Sequence, residues 1–217
     1  MDTISAKRIK RFIEARSKGF STWSLNELIE YIVTNCHQPA KRDIAIIYDV
    51  AQVVAYRHGD RHPQLWKLNE ALFLSFDNLL HHLKMEETAF FPIIGQDPEK
   101  GKHPDLIGKS VSEYIYELAE TIPKDHDAFV NDLDAFRNMT RYYRIPDDAD
   151  YLYKFLLEKM KRFDQVLSFH IHLENSIILP KAIMLAKELN RQGNKVYPFW
   201  KGNPARSRMQ DDLLITS

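Results

Sequence analysis

Two histidine–glutamate pairs occur in the chain with the same spacing and the same following proline. The shared pattern is H-x3-E-x5-P, and its two copies are His82, Glu86 and Pro92, and, 88 residues later, His170, Glu174 and Pro180. Residues four apart in an α-helix point in the same direction to within about 40°. Each pair can therefore bind one centre. Both pairs lie on apolar stripes, where a carboxylate without a partner is costly to bury.

Each copy is also preceded by a histidine on an apolar stripe. His37 lies 45 residues before His82, and His126 lies 44 residues before His170. These matched offsets indicate two related helix pairs. His58 lies on another apolar stripe, near a predicted helix end, and adds a fifth imidazole. Two inward carboxylates among four or five inward histidines need positive charge, which two divalent or trivalent metal ions would supply.

The donor types narrow the choice of metal. Imidazole and carboxylate without thiolate suit iron, manganese or zinc. The order of the residues differs from ferritin-like di-iron proteins, which use Glu-x-x-His and more carboxylates than histidines. The sequence contains no H-E-x-x-H motif, nucleophile elbow or glycine-rich phosphate loop. Zinc hydrolysis, acyl transfer and nucleotide chemistry therefore lose support.

Helical periodicity dominates the chain and predicts an all-α fold. Four long amphipathic stretches joined by polar connections indicate an antiparallel four-helix bundle, with short extra helices and a C-terminal tail. We expect a short basic N-terminal segment over residues 1–23, the bundle over residues 24–189, and a polar tail over residues 190–217. The interior of such a bundle is a common place for a metal site.

Local signals predict where the helices begin and end. Ser24 and Glu27 form an S-x-x-E capping box at the start of the first main helix. Pro39 is expected to interrupt that helix, and Pro123 to follow a shorter helix over about residues 110–122. The last long helix is expected to begin at an aspartate cap, either Asp147 or Asp148.

Composition excludes several other classes of protein. Thirty basic and thirty acidic side chains cancel, so no overall charge favours nucleic acid or an anionic membrane. The single cysteine, Cys36, excludes an internal disulfide framework and a cysteine-based metal site, and it fits a reducing cytoplasm. No run approaches secretory or membrane-spanning length, so we expect a cytoplasmic protein that is neither exported nor inserted.

The segments around these residues resemble the hemerythrin-like di-iron proteins, and more closely the Repair of Iron Centers family of iron-sulfur cluster repair proteins. The resemblance covers roughly residues 24–184, and it is carried by LNELIEYIVTNCH, HLKMEETAFFPII, KDHDAF and HIHLENSIILPKAI. Oxygen-carrying hemerythrins typically end in a His-x4-Asp pair. Glu174 gives His-x3-Glu instead, which favours the repair family.

This resemblance implies two iron ions, bridged by two glutamates and an oxo or hydroxo group and bound by five histidines. The implied ligands are His37, His58, His82, His126 and His170, with Glu86 and Glu174 as the bridges. Coordination numbers of about six and five would leave one position open for dioxygen, nitric oxide or peroxide. Glu87, beside Glu86, is expected to be a solvated neighbour.

The implied function is repair of iron-sulfur clusters damaged by nitrosative or oxidative stress, with the damaged iron-sulfur proteins as clients and iron donation as one route. The alternatives are hemerythrin-like binding or sensing of dioxygen or nitric oxide, a di-iron nitric oxide reductase, and a metal-free interaction domain. Whether the protein is an enzyme, and whether it forms a homodimer, stays open. Members of the repair family typically carry an N-terminal domain with a vicinal cysteine pair. Only 23 residues precede the predicted bundle here, and they contain no cysteine.

Overall fold

Four long helices form the part of the chain that the computed structural model describes, residues 19–95 and 108–193. The segments are α1 (Leu25–Ile32), α2 (Gln38–His58), α3 (Gln64–Met85), α4 (Phe91–Ile94), α5 (Val111–Met139), α6 (Tyr151–Leu173) and α7 (Leu179–Arg191), with a 3-10 turn at Phe20–Thr22. The all-α prediction is confirmed. Most of the predicted N-terminal segment and of the predicted tail lies outside the described residues.

Three π-helical turns join these segments into continuous helices. Val33–His37 joins α1 to α2, Glu86–Phe90 joins α3 to α4, and Glu174–Ile178 joins α6 to α7. Each turn closes with a backbone hydrogen bond from a residue to the carbonyl five positions earlier, as from Phe91 N–H to the Glu86 carbonyl. The first, second and fourth long helices therefore each contain one wide turn, and the third is α5 alone.

A proline stands two residues after each π-helical turn: Pro39, Pro92 and Pro180. Proline has no N–H to donate, and its ring clashes with the carbonyl four residues earlier in a regular α-helix. The carbonyls concerned lie within the π-helical turns, where the wider backbone relieves this clash. The expected interruption at Pro39 is therefore wrong, because the helix widens for five residues and continues.

The predicted helix boundaries are partly confirmed. The Ser24–Glu27 capping box is present, with both of its reciprocal hydrogen bonds. Pro123 lies inside α5, which runs without a break from Val111 to Met139, so the shorter helix expected over residues 110–122 is wrong. The cap of α6 is Asp150, whose side chain accepts from Tyr153 N–H at 2.9 Å, and not Asp147 or Asp148.

The long helices pack in a ring, each against the helix before it and the first against the fourth. Short connections, such as that between His58 and Gln64, turn the chain back and make neighbouring helices antiparallel. None of the described helices combines the length and the apolar character needed to cross a membrane.

Within residues 19–95 and 108–193 the apolar interior consists of two clusters. The proximal core contains Leu28, Ile32, Cys36, Phe90, Ile94, Ile115, Ile122, Leu173 and Ile178 among others. The distal core contains Ile47, Val54, Leu68, Leu72, Phe76, Leu133, Phe136, Met160 and Phe163 among others. Along each long helix, the change from one core to the other falls beside a buried histidine or glutamate. A polar layer therefore lies between two apolar regions.

Candidate metal centre

Six of the seven predicted site residues meet in this layer, which we call the ligand layer. It consists of His37 from the first long helix, His82 and Glu86 from the second, His126 from the third, and His170 and Glu174 from the fourth. All six side chains are almost completely buried. Every long helix thus contributes at least one ionisable group to a single buried site.

The ligand layer contains two overlapping groups of four donors. One is His37, Glu86, His170 and Glu174, and the other is His82, Glu86, His126 and Glu174. Within each group, one potential ligand atom from every residue lies within 4.8 Å of the others. Glu86 and Glu174 belong to both groups. This arrangement suits two neighbouring cation positions that share both carboxylates.

The two i, i+4 pairs meet as their spacing predicts. His82 Nε2 lies 3.2 Å from Glu86 Oε1, and His170 Nε2 lies 2.9 Å from Glu174 Oε2. His126 Nε2 also lies 3.1 Å from Glu174 Oε2. These contacts lack the alignment of hydrogen bonds, so all four oxygens of the two glutamates are buried without a hydrogen-bond partner. Such oxygens are rare in a native interior unless something else binds them.

Three of the histidines are each held in place by a contact at Nδ1, the ring nitrogen that does not face the other ligands. The contacts are His37 Nδ1 to Glu87 Oε1 at 2.8 Å, His82 Nδ1 to Asp125 Oδ2 at 3.1 Å, and His126 Nδ1 to Asn175 Oδ1 at 2.8 Å. An ionised carboxylate or an amide oxygen only accepts, so Nδ1–H is the donor in each contact. A neutral imidazole held this way presents the Nε2 lone pair to the centre of the layer, as metal-binding histidines do.

The inward nitrogens face one another closely. His82 Nε2 and His126 Nε2 are 3.2 Å apart, and His37 Nε2 and His170 Nε2 are 3.3 Å apart. If His82 and His126 are both neutral, with their protons on Nδ1, their Nε2 lone pairs point at each other with no proton between them. Together with the unpartnered carboxylate oxygens, this geometry demands positive charge in the layer. A metal cation fits these donors.

Residues 28–182 match the family described as "Hemerythrin HHE cation binding domain", which covers more than half of the chain. The chain belongs to the hemerythrin HHE family.

Several curated relatives of this hemerythrin HHE chain are about a quarter identical to it over the aligned residues. The "Probable iron-sulfur cluster repair protein" of Haemophilus influenzae is 26% identical over 170 residues, which is 78% of this chain and 70% of the relative. Iron-sulfur cluster repair protein ScdA of Staphylococcus epidermidis is 26% identical over 159 residues, 73% of this chain and 66% of the relative. Iron-sulfur cluster repair protein YtfE of Dickeya chrysanthemi is 28% identical over 167 residues, 76% of this chain and 69% of the relative. The match thus spans about two thirds of the length of these relatives.

The histidines of the ligand layer differ in pKa when no cation is bound. Burial lowers the pKa of His37 to about 4, and the neighbouring His170 acts in the same direction. Burial also acts to lower the pKa of His82, but the adjacent Glu86 outweighs it and raises that pKa to about 9. At neutral pH, His37 is thus ready to bind a cation, and His82 must first lose a proton.

The two shared carboxylates also differ. Burial raises the pKa of Glu86, and the negative charge of Glu174 raises it further. Burial opposes ionisation of Glu174 as well, but His170 and His126 outweigh it and hold the pKa of Glu174 well below its usual range. A cation between them would favour ionisation of both.

His58 lies outside the ligand layer, and this removes it from the candidate ligands. It follows His37 by 21 residues in one continuous helix, a distance of about 30 Å along the axis at 1.5 Å per residue. Its Nε2 lies 3.2 Å from Asp150 Oδ2, beside the ring of Tyr153. His58 therefore helps to close the distal end of the bundle.

The three residues that hold the histidines at Nδ1 were not predicted from the sequence. Glu87, expected to be a solvated neighbour, contacts His37, while Asp125 and Asn175 were not predicted to have any role. Each of them directly precedes or follows a ligand-layer residue in the chain. A helix turns by about 100° per residue, so a polar side chain beside an inward ligand faces the adjacent helix. That adjacency is the signal that could have identified them.

Proposed function

We propose that this chain is a non-heme di-iron protein that takes part in the repair of iron-sulfur clusters damaged by nitrosative or oxidative stress. The observation that carries the proposal is the pair of four-donor groups that share Glu86 and Glu174. Membership of a cation-binding family supports it, and so do relatives whose names describe iron-sulfur cluster repair.

The donor chemistry favours iron. Each position would receive two imidazoles and two carboxylates, a mixed nitrogen and oxygen set without thiolate, which suits non-heme iron. Iron there would supply redox chemistry and affinity for small ligands. Without His58, the chain offers four donors at each position, fewer than the five or six that iron commonly takes. Both positions, rather than one, would therefore have room for dioxygen, nitric oxide or peroxide. The bridging oxo or hydroxo group stays a prediction.

The residues around the layer have two tasks in this proposal. Glu87, Asp125 and Asn175 hold three histidines with their lone pairs inward, and the proximal and distal cores exclude bulk water on both sides.

The partners of the chain in this proposal are damaged iron-sulfur proteins, which would receive iron from it. A cytoplasmic location, in keeping with the single cysteine, belongs to the same proposal. A homodimer remains a prediction that light scattering would test.

Metal analysis is the first test. We expect the chain, reconstituted anaerobically with ferrous iron and desalted, to retain two iron ions. Glu86→Gln and Glu174→Gln should each retain fewer, whereas Glu158→Gln, at an exposed position on α6, should retain two. Retention of no iron by the unaltered chain would contradict the proposal.

A transfer experiment then tests the repair function. An iron-sulfur protein whose cluster has been damaged with nitric oxide should regain its cluster absorption faster with the iron-loaded chain, given sulfide and reductant, than with the same amount of free ferrous iron. Equal rates would contradict donation. A stable, reversible dioxygen adduct would favour a carrier instead, and formation of nitrous oxide from nitric oxide would favour a reductase.

A further inference from the structure

A chain of three side chains connects the ligand layer to the protein surface. His37 Nδ1 donates to Glu87 Oε1 at 2.8 Å, and Lys41 Nζ donates to both Glu87 oxygens, at 2.8 and 2.7 Å. The side chain of His37 is fully buried, while those of Glu87 and Lys41 are 26% and 36% exposed. His37 and Lys41 belong to the first long helix and Glu87 to the second, so the contact also joins two helices.

The other two Nδ1 acceptors lack this support. Asp125, behind His82, is 45% exposed, so water screens its charge. Asn175, behind His126, is a neutral amide. Among the described residues, only Glu87 accepts from both a ligand-layer histidine and a cationic side chain. Because Lys41 binds both oxygens, the carboxylate of Glu87 is held in one orientation. Burial acts to raise its pKa, but its contacts with Lys41 and His37 outweigh burial and lower that pKa, which keeps it ionised.

We propose that Glu87 and Lys41 are positioning residues that hold His37 for a metal cation bound at the His37–His170 position, and that they raise the affinity of that position specifically. This inference rests on the proposed function. A carboxylate behind a metal-binding histidine fixes the tautomer and the ring orientation and strengthens the Nε2 donor. Loss of such a partner typically weakens metal binding by about 10- to 100-fold.

Position specificity follows from the geometry of the layer. His37 belongs only to the group with His170, and His82 and His126 form the other group with the same two glutamates. A loosened His37 ring would therefore weaken one cation position directly and leave both imidazoles of the other in place. A purely structural link between helices would instead affect both positions or neither.

A matched ion pair provides the control. Lys159 Nζ lies 2.7 Å from Asp43 Oδ1 and joins α6 to α2, with both side chains mostly buried. This pair makes no contact with the ligand layer. Lys159→Met thus removes an interhelical ion pair of similar length without changing any support of a metal-binding histidine.

The experiment titrates the metal-free chain with Co²⁺ alone and follows both the visible absorption of the bound ion and the stoichiometry. The unaltered chain should bind two equivalents. In Glu87→Ala, one equivalent should bind about 10- to 100-fold more weakly and the other within about twofold of its original affinity. Glu87→Gln keeps an oxygen for Nδ1–H and should recover part of the loss. Lys41→Met should weaken the same equivalent by a smaller factor, and Lys159→Met neither.

Three results would overturn the inference. They are unchanged affinities in Glu87→Ala, equal weakening of both equivalents, and an equal effect of Lys159→Met, in each case with far-ultraviolet circular dichroism showing that the metal-free variants are folded. An unaltered chain that binds no cation would overturn the proposed function, and this inference with it. Two tight equivalents in the unaltered chain, with no change in Glu87→Ala, would overturn this inference alone.

Discussion

Two of the buried clusters of polar side chains in the described part of the chain differ in how they obtain their positive charge. The first is the ligand layer. The second, the arginine cluster, consists of Arg137, Tyr143, Asp164 and Ser168. Asp164 is buried in α6, and Arg137 donates to both of its oxygens, from Nε at 2.8 Å and from Nη2 at 2.5 Å. Tyr143 and Ser168 donate to it as well, at 2.9 and 3.1 Å.

The source of the positive charge distinguishes the arginine cluster, which is complete by itself, from the ligand layer, which is not. In the arginine cluster the chain provides both the anion and the cation, and each oxygen of Asp164 has at least two donors. Burial and the nearby Asp164 raise the pKa of Tyr143, so its hydroxyl remains a donor. In the ligand layer no donor is aligned for a hydrogen bond to the oxygens of Glu86 and Glu174, although the Nε2 atoms of four histidines lie close to them. Charge from outside the chain would complete only the ligand layer.

The largest effect on stability should come from removing Arg137, the cation of the arginine cluster. Arg137→Met keeps most of the aliphatic stem and leaves Asp164 buried without its partner, which should lower the free energy of unfolding by about 3–5 kcal/mol. Urea denaturation of the metal-free protein measures this. Arg162→Met, at an exposed position on α6, should change it by no more than about 0.5 kcal/mol. A loss below about 1 kcal/mol for Arg137→Met would show that the arginine cluster is not self-contained.

The ligand layer should gain stability only when a cation is supplied. A ligand present at 100 times its dissociation constant stabilises the folded state by about 2.7 kcal/mol per site. We therefore expect Co²⁺ to raise the urea midpoint of the unaltered chain and a chelator to reverse the change. Glu174→Gln removes a carboxylate common to both groups and should abolish most of this gain. If the variant were stabilised as much as the unaltered chain, the cation would bind elsewhere.

Cation binding should become tighter as the pH rises from about 7 to about 9. The pKa of His82 in the metal-free layer is about 9, so this imidazole is protonated at pH 7 and a cation must displace the proton. Affinity should increase by up to about tenfold per pH unit and level off above pH 9. His37, with a pKa of about 4, has no proton to lose in this range. Calorimetric titration with Co²⁺ in buffers of different ionisation enthalpy would measure the released proton.

The same raised pKa has a consequence for the metal-free fold. A histidine whose pKa is higher in the folded state than its unfolded value of about 6.5 stabilises the protein fully below pH 6.5. This contribution disappears as the pH rises through 9, so metal-free protein should lose stability over the range in which cation affinity increases. A metal affinity that does not change between pH 7 and pH 9 would contradict the assignment of the proton to His82.

Helical periodicity was enough to predict the bundle. The repeated histidine–glutamate pairs were enough to predict four residues of the ligand layer, because i, i+4 spacing fixes which side chains share a helix face. The π-helical turns were not predicted, since a proline in a helix usually signals a break, whereas the wide turn before Pro39 relieves the clash and the helix continues. The roles of Glu87, Asp125 and Asn175 depend on which helices become neighbours, and the spacing within one helix does not determine that.

His58 shows the limit of a helix-face argument, and it gives the smallest predicted effect on metal binding. Periodicity placed His37 and His58 on inward faces on either side of an expected break at Pro39. It did not give their heights along the bundle, which differ by about 30 Å. His58→Ala should leave the number and the affinity of bound Co²⁺ ions unchanged and should cost about 1–2 kcal/mol of stability, because a buried ring beside Asp150 is lost. His37→Ala should lose about one equivalent. If both variants lost metal equally, a cation would contact the distal end of the bundle, and the separation of the ligand layer from the rest of the polar interior would fail.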